Sequence, residues 1–148
     1  MISTTTKTLG LVALAAFSIQ AFAQDFEQLF TQKYKQEMLP ELHLSLVDRY
    51  KAKGMSDVEI NRALEKIADK SAHCHYSAFA AYDKKFRSIA HQTLIEGGST
   101  EDATIELNDA LNAAAETGDI SKKQMKSQVK TAMNYYNSCV IKNGLVDK

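Results

Sequence analysis

The sequence predicts an all-α fold, an irregular bundle of five or six helices that one disulfide bond staples together. The 148 residues include one proline and six glycines, fewer than a turn-rich β fold needs, and 45% of them are hydrophobic. Apolar residues recur at spacings of three and four, and no run alternates with period two for long enough to form a strand. We therefore expect residues 24–148 to form a single helical domain, which is long enough to bury one core.

Residues 1–23 have the pattern of a cleaved export signal. One cation, Lys7, precedes an apolar stretch, and Ala21-Phe22-Ala23 supplies the small residues that a signal peptidase requires. The apolar stretch is shorter than the roughly 20 residues of a membrane-spanning helix, and a membrane anchor or a buried first helix is the alternative. We expect cleavage after Ala23 and a periplasmic or secreted protein with no transmembrane segment in the mature chain.

The charge of the mature chain argues against some partners. Loss of residues 1–23 removes one of the 18 basic residues and none of the 18 acidic ones, which leaves a net charge of about −1. So small a charge gives little long-range attraction for nucleic acid or for an anionic membrane. We therefore expect no nucleic-acid partner.

The first helix is predicted from about Asp25 to Met38, where apolar residues have helical spacing. Pro40 disfavours helical geometry at Leu39, so we expect this helix to end there and a second one to begin at Pro40 and stop at Gly54. A single helix that is kinked at the proline is the alternative.

The third helix is predicted to begin at Ser56, which forms an S-x-x-E capping box with Glu59. Helical periodicity then continues without a change of phase from Asp57 to Ile95. One helix over that range would be about 58 Å long, which is too long for a compact domain of this size. We expect a bend or break near residues 69–71 or near Asp83, with an unbroken helix as the alternative.

Two further helices complete the predicted bundle. A loop over residues 96–100 leads into a helix that ends at Gly118. The last helix begins with a second capping box, S-x-x-Q, formed by Ser121 and Gln124. Gly144 is the expected end of this helix.

Cys74 and Cys139 are the two cysteines of the chain, and each lies on the apolar stripe of a predicted helix. Export would place them in an oxidising compartment, where disulfide bonds form and persist. We predict that they are bonded to each other, with two separate buried thiols as the alternative. The chain-entropy model gives such a bond a stabilisation of about 4 kcal/mol.

The segment around Cys74 also contains the best metal-site candidates, His73, His75 and Asp69, because imidazole and thiolate groups bind zinc and copper. On a helix, His73 and His75 lie on opposite flanks of Cys74, and a disulfide bond would consume the thiol. Asp69 is four residues before His73, a spacing that suits a shared ligand and a surface ion pair equally well. We therefore expect no metal and no other cofactor.

The common catalytic patterns are absent from the sequence, which has no G-x-S-x-G, no H-E-x-x-H, no Walker A loop and no Rossmann glycine motif. A cysteine nucleophile would need a free thiolate beside a base, and the predicted disulfide bond removes that thiolate. A non-catalytic protein is therefore favoured. An enzyme or metal protein that uses the region of His73 and His75 is the alternative.

Charge separates along the C-terminal third of the chain. Seven acidic and no basic residues lie from Glu96 to Asp119, and lysines follow directly. Either the acidic helix folds against the lysine-bearing helix and the two sets of charges offset each other, or the patches face outward and select a charged protein partner. The candidate interface residues are Tyr135, Glu101, Asp102, Glu106, Asp109, Lys122, Lys123 and Lys126.

Tyr135 is the candidate anchor of this interface. It is adjacent to Tyr136, which shares the apolar stripe of Cys139, so the two rings cannot both face the core. An exposed tyrosine is a typical centre of a protein interface. The sequence therefore favours an exported protein that binds another periplasmic or envelope protein, as an inhibitor or immunity factor or as a chaperone-like partner. A structural or stress protein of the cell envelope is a further alternative.

Overall fold

The computed structural model describes residues 25–146, and within this range it contains five helices and no strand. The helices are α1 (Phe26–Lys51), α2 (Asp57–Phe79), α3 (Lys84–Ile95), α4 (Thr100–Thr117) and α5 (Lys122–Lys142). The predicted all-α bundle is confirmed. Five or six helices were expected, and the described residues form five. The expected export signal, residues 1–23, lies outside the described residues. None of the described helices is both long and apolar enough to cross a membrane.

α1 continues through Pro40, so the predicted helix end before the proline is wrong and the alternative of a single helix is observed. The proline removes one backbone donor from the helix. α1 nevertheless packs against α2. Lys35 Nζ lies 2.7 Å from Asp69 Oδ1, and Lys51 Nζ lies 3.4 Å from Asp57 Oδ1. Packing against α2 therefore outweighs the local preference of the proline.

The long periodic segment is divided into two helices by a short turn. α2 ends at Phe79 and α3 begins at Lys84, so the predicted break is confirmed and, of its two expected positions, it lies at the one near Asp83. The helix continues through residues 69–71 because its inner face is buried there. Gln128 of α5 holds the turn, since Asp83 N donates to Gln128 Oε1 at 3.1 Å and Gln128 Nε2 donates to Asp83 Oδ2 at 3.0 Å.

Capping boxes begin three of the described helices. Those predicted at Ser56 and Ser121 are confirmed, because each serine side chain accepts a hydrogen bond from the backbone three residues on and the exchange is reciprocal. A third box, not predicted, begins α4, where Asp102 Oδ2 accepts from Ser99 N at 2.8 Å and from Ser99 Oγ at 2.7 Å. The predicted loop over residues 96–100 therefore includes the N-cap of α4.

α1 also holds the start of α4 in place. Lys33 Nζ donates to Gly98 O at 2.8 Å, and the Glu37 carboxylate accepts from Thr100 N at 3.1 Å and from Thr100 Oγ1. Gly98 has no room for a Cβ, which would lie 2.7 Å from Thr93 Cγ2 and 2.9 Å from Thr93 O. The turn between α3 and α4 is therefore fixed by α1 and by close approach of the backbone.

The core is aromatic where α1, α2 and α3 meet and aliphatic along α4. Phe30 packs edge-on against Phe79 with ring centroids 5.0 Å apart, and Phe26 does the same at 5.1 Å. Leu107 and Leu111 of α4 are almost completely buried in the same cluster. Burial of these side chains is what holds the short helices α3 and α4 on the longer pair.

A disulfide bond joins Cys74 of α2 to Cys139 of α5, as predicted, with Cα atoms 5.2 Å apart. A second contact joins the same two parts of the chain, since Lys70 Nζ donates to Asn143 O at 2.7 Å. Lys70 precedes Cys74 by one helical turn, whereas Asn143 follows Cys139 by one turn. Residues that come earlier in α2 therefore contact residues that come later in the C-terminal part of the chain. The two helices therefore run antiparallel and are bonded covalently.

Candidate functional site

An open cleft of about 540 Å³ lies between α2 and α5. α2 contributes His73 and Ser77, and α5 contributes Tyr135, Ser138 and Lys142. The three α5 residues are spaced by three and four positions, so they share one flank of the helix. The cleft is therefore a direct product of the antiparallel pairing of α2 and α5.

The disulfide bond lies beside this cleft. Cys139 lines it, whereas Cys74 is completely buried. Asn143 Nδ2 donates to Cys139 O at 3.0 Å and lies 3.3 Å from Cys139 Sγ and 3.5 Å from Cys74 Sγ. A covalent bond and the side chain at the end of α5 thus fix the relative positions of the cleft walls.

Tyr135 stands at the edge of the cleft with 46% of its surface exposed. Its neighbour Tyr136 contacts the ring of His75 instead, with centroids 4.7 Å apart. The two tyrosines point in different directions because adjacent helical residues are about 100° apart. Tyr135 is available for contact, and its role as an interface anchor stays a prediction.

The outer face of α5 is basic in its first half and apolar in its second. Lys122, Lys123 and Lys126 are all exposed, while Met133 and Ile141 are 60% and 46% exposed. The helix contains five lysines and no acidic residue. α5 therefore presents exposed positive charge and separate exposed apolar side chains to solvent.

The acidic candidates lie on the outside of α4. Glu101, Glu106 and Asp109 are exposed, and Asp102 is exposed but engaged in the capping box with Ser99. Hydrogen bonds from the Ser99 backbone and hydroxyl lower the pKa of Asp102 below its ordinary value. α4 and α5 touch, but in the described part of the chain no ion pair joins them. The two patches face solvent and do not neutralise each other by direct contact.

The three metal-site candidates lie in different environments. Asp69 Oδ1 is 2.7 Å from Lys35 Nζ, and His73 Nδ1 is 3.5 Å from Glu27 Oε1. His75 lies on the other flank of α2 and is half-buried. Among the residues that the structure describes, no group of three His, Cys, Asp or Glu side chains is placed to hold a metal ion. The structure does not bring these candidates together.

His75 lies between two tyrosine rings. Its ring centroid is 4.6 Å from that of Tyr34 in α1 and 4.7 Å from that of Tyr136 in α5. Burial lowers the pKa of His75 below its ordinary value. Burial also raises the pKa of Tyr34 to about 12, and nearby Tyr136 and two glutamates act in the same direction. A neutral imidazole therefore packs between α1 and α5 at neutral pH.

Sequence patterns indicated Tyr135 as a contact residue, His73 as a metal candidate and Cys139 as a disulfide partner, but they did not indicate Ser77, Ser138 or Lys142. Ser138 and Lys142 follow Tyr135 by three and seven residues, which places them on the same flank of α5. This helical spacing is the sequence signal that would have identified them as neighbours of Tyr135. His73 and Ser77 come from α2. Only the pairing of α2 with α5 places those two side chains opposite Tyr135.

Comparisons of the chain with protein-family models, with curated proteins and with solved structures found no match. Its function is therefore inferred from its own residues.

Proposed function

We propose that the chain is an exported, non-catalytic protein that binds another protein of the periplasm or envelope through the α2–α5 cleft and the outer face of α5. The observation that carries this proposal is Tyr135, which stands nearly half-exposed at the edge of a cleft of about 540 Å³. Tyrosine combines a large apolar ring with a hydroxyl, and buried tyrosines contribute strongly to binding at interface centres. Export is supported by the signal pattern of residues 1–23.

The charge of α5 favours an acidic partner. Lys142 lies in the cleft and Lys122, Lys123 and Lys126 lie along the exposed face of the same helix. Such a one-sign surface steers an oppositely charged partner during encounter and disfavours basic ones. We expect the association to weaken as the salt concentration rises, because salt screens exposed charges.

The rigidity of the cleft favours an inhibitor or immunity factor over a chaperone-like partner. The Cys74–Cys139 bond holds both walls, and Asn143 packs against both sulfur atoms. A preorganised surface loses little freedom when it binds one partner, whereas binding of many partners uses adaptable surfaces. One specific partner is therefore the form of the proposal that fits these residues best.

The proposal is tested by capturing partners on the immobilised mature protein from an envelope extract of the cells that naturally produce it. We expect one predominant partner, and we expect Tyr135→Ala to weaken its binding by about tenfold or more, as truncation of a central aromatic anchor does.

The matched control is Leu44→Ala, which truncates an 89% exposed side chain of α1, far along the chain from the cleft residues. This variant should bind as the wild type does. Failure of the folded wild type to retain any partner, or an equal loss of binding in both variants, would count against the cleft as the binding site.

A further inference from the structure

A separate pocket of about 230 Å³ lies where the start of α1 meets α2 and α3. Lys84, Arg87 and His91 line it from α3, at spacings of three and four that place them on one face of the helix. Tyr76 of α2, Ser88 of α3, and Asp25 and Phe26 at the start of α1 also line it. None of these residues belongs to the α2–α5 cleft or to the outer face of α5.

Arg87 is the unusual residue of this pocket. Its Nε is buried and has no hydrogen-bond partner within the described residues. No carboxylate in the same part of the chain lies within 4.0 Å of its guanidinium group, since none of the ion pairs found there includes it. A buried donor without an acceptor is costly and is rare in folded proteins, and Arg87 also lines the pocket, where an anion would meet its guanidinium group.

The other pocket residues add positive charge and a donor. Lys84 is exposed and has no ion-pair partner within the described residues, while Asp25 is the one carboxylate of the lining. Burial raises the pKa of Tyr76, the carboxylates of Glu27 and Asp25 act in the same direction, and Arg87 opposes the shift only in part. Tyr76 therefore keeps its hydroxyl proton at neutral pH and can donate it to an acceptor.

We propose that this pocket binds an oxyanion of the phosphate class, with Arg87 as its main ligand and Lys84 and Tyr76 as further donors. Guanidinium groups pair with tetrahedral oxyanions through two parallel N–H bonds, which suits an arginine that lacks an acceptor. The lysine supplies a second positive charge, which stands with Arg87 against the nearby carboxylates of Asp25 and Glu27. The phosphate is either free or part of a lipid headgroup.

The first test is a titration of the mature protein with inorganic phosphate against chloride at matched ionic strength, followed by backbone NMR shifts and by melting temperature. We expect saturable shifts confined to amides around Tyr76, Lys84 and Arg87, and a melting temperature that rises with phosphate. Arg87→Met should weaken phosphate binding by about tenfold or more, because hydrogen bonds to charged groups are among the strong ones. Without phosphate, this variant should melt at the same or a higher temperature, because the unpaired donor is gone.

Arg62→Met is the matched control, since it removes an exposed arginine of α2 outside the pocket. It should respond to phosphate as the wild type does. If Arg87→Met fails to fold, Arg87→Lys keeps the charge and loses the paired donors, and it should bind phosphate more weakly while it remains folded.

The lipid source is tested with vesicles of phosphatidylglycerol against vesicles of phosphatidylcholine. Sedimentation with the anionic vesicles that depends on Arg87 would assign the phosphate to a headgroup, and a response to inorganic phosphate alone would assign it to a free ion. The proposal is overturned if neither probe gives a saturable response, or if the Arg62 and Arg87 variants lose the response equally.

Discussion

At the scale of single residues, His75 illustrates what sequence patterns predict and what they miss. Helical phase correctly placed it on the flank of α2 opposite His73, which argued against a shared metal ion. Its contacts with Tyr34 of α1 and Tyr136 of α5 depend on the packing of three helices, and no local spacing indicates them. The residue that looked like a ligand is a half-buried packing group whose imidazole is desolvated.

The desolvation of His75 predicts a dependence of stability on pH. Because its pKa is lower in the folded protein than in the unfolded chain, the unfolded state binds the proton more readily. This contribution to stability is therefore lost as the pH falls below the unfolded value of about 6.5. We expect His75→Phe, which keeps a ring between the tyrosines, to show a smaller drop in melting temperature between about pH 7 and pH 5.

The measurement is thermal unfolding of both proteins, followed by circular dichroism across this pH range. Equal slopes for wild type and variant would show that His75 does not couple folding to protonation.

At the scale of helices, the local signals were reliable at the starts of helices and unreliable at the proline. The capping boxes at Ser56 and Ser121 were found because serine is followed three residues on by Glu or Gln. The box at Ser99 was missed because its partner, Asp102, is a shorter acid than the pattern specifies. At Pro40 the local preference for a helix end was overruled by contacts of α1 with α2, the next helix, which the sequence around the proline does not indicate.

The continuity of α1 predicts that Pro40→Ala stabilises the protein. A proline inside a helix removes one hydrogen bond and crowds the preceding turn, at a cost of roughly 3 kcal/mol relative to alanine, part of which bending of the helix recovers. We expect the variant to raise the free energy of unfolding by about 1–3 kcal/mol in a urea titration. An unchanged or lower stability would indicate a helix that begins at Pro40, where a proline is favourable.

At the scale of the whole molecule, the disulfide bond was predictable and the cleft was not. The number of cysteines, their helical phase and the predicted export signal together indicated the pairing of Cys74 with Cys139. The cleft and the Arg87 pocket each combine side chains from at least two helices, so they appear only once the helices are packed. The sequence showed the charge patches of α4 and α5. It did not show whether they pair, and in the described part of the chain no ion pair joins them.

The disulfide bond predicts a large loss of stability on its removal. Cys74 and Cys139 are 65 residues apart, and a bond that closes a loop of this length stabilises the fold by about 4 kcal/mol in the chain-entropy model. We expect the double variant Cys74→Ser, Cys139→Ser to lose about that amount in a urea titration. The wild type in excess reductant should behave in the same way, and full retention of stability in both samples would contradict the prediction.

The most direct measurement of the central claim is site-specific photo-crosslinking in living cells that naturally produce the protein. Tyr135, and in a separate strain Leu44, is replaced by p-benzoylphenylalanine, which forms a covalent bond only with a molecule in contact. We predict one discrete cross-linked protein from position 135, with an acidic surface, and no such product from position 44. Folded protein that yields no product at position 135, or the same products at both positions, would contradict a binding site at the α2–α5 cleft.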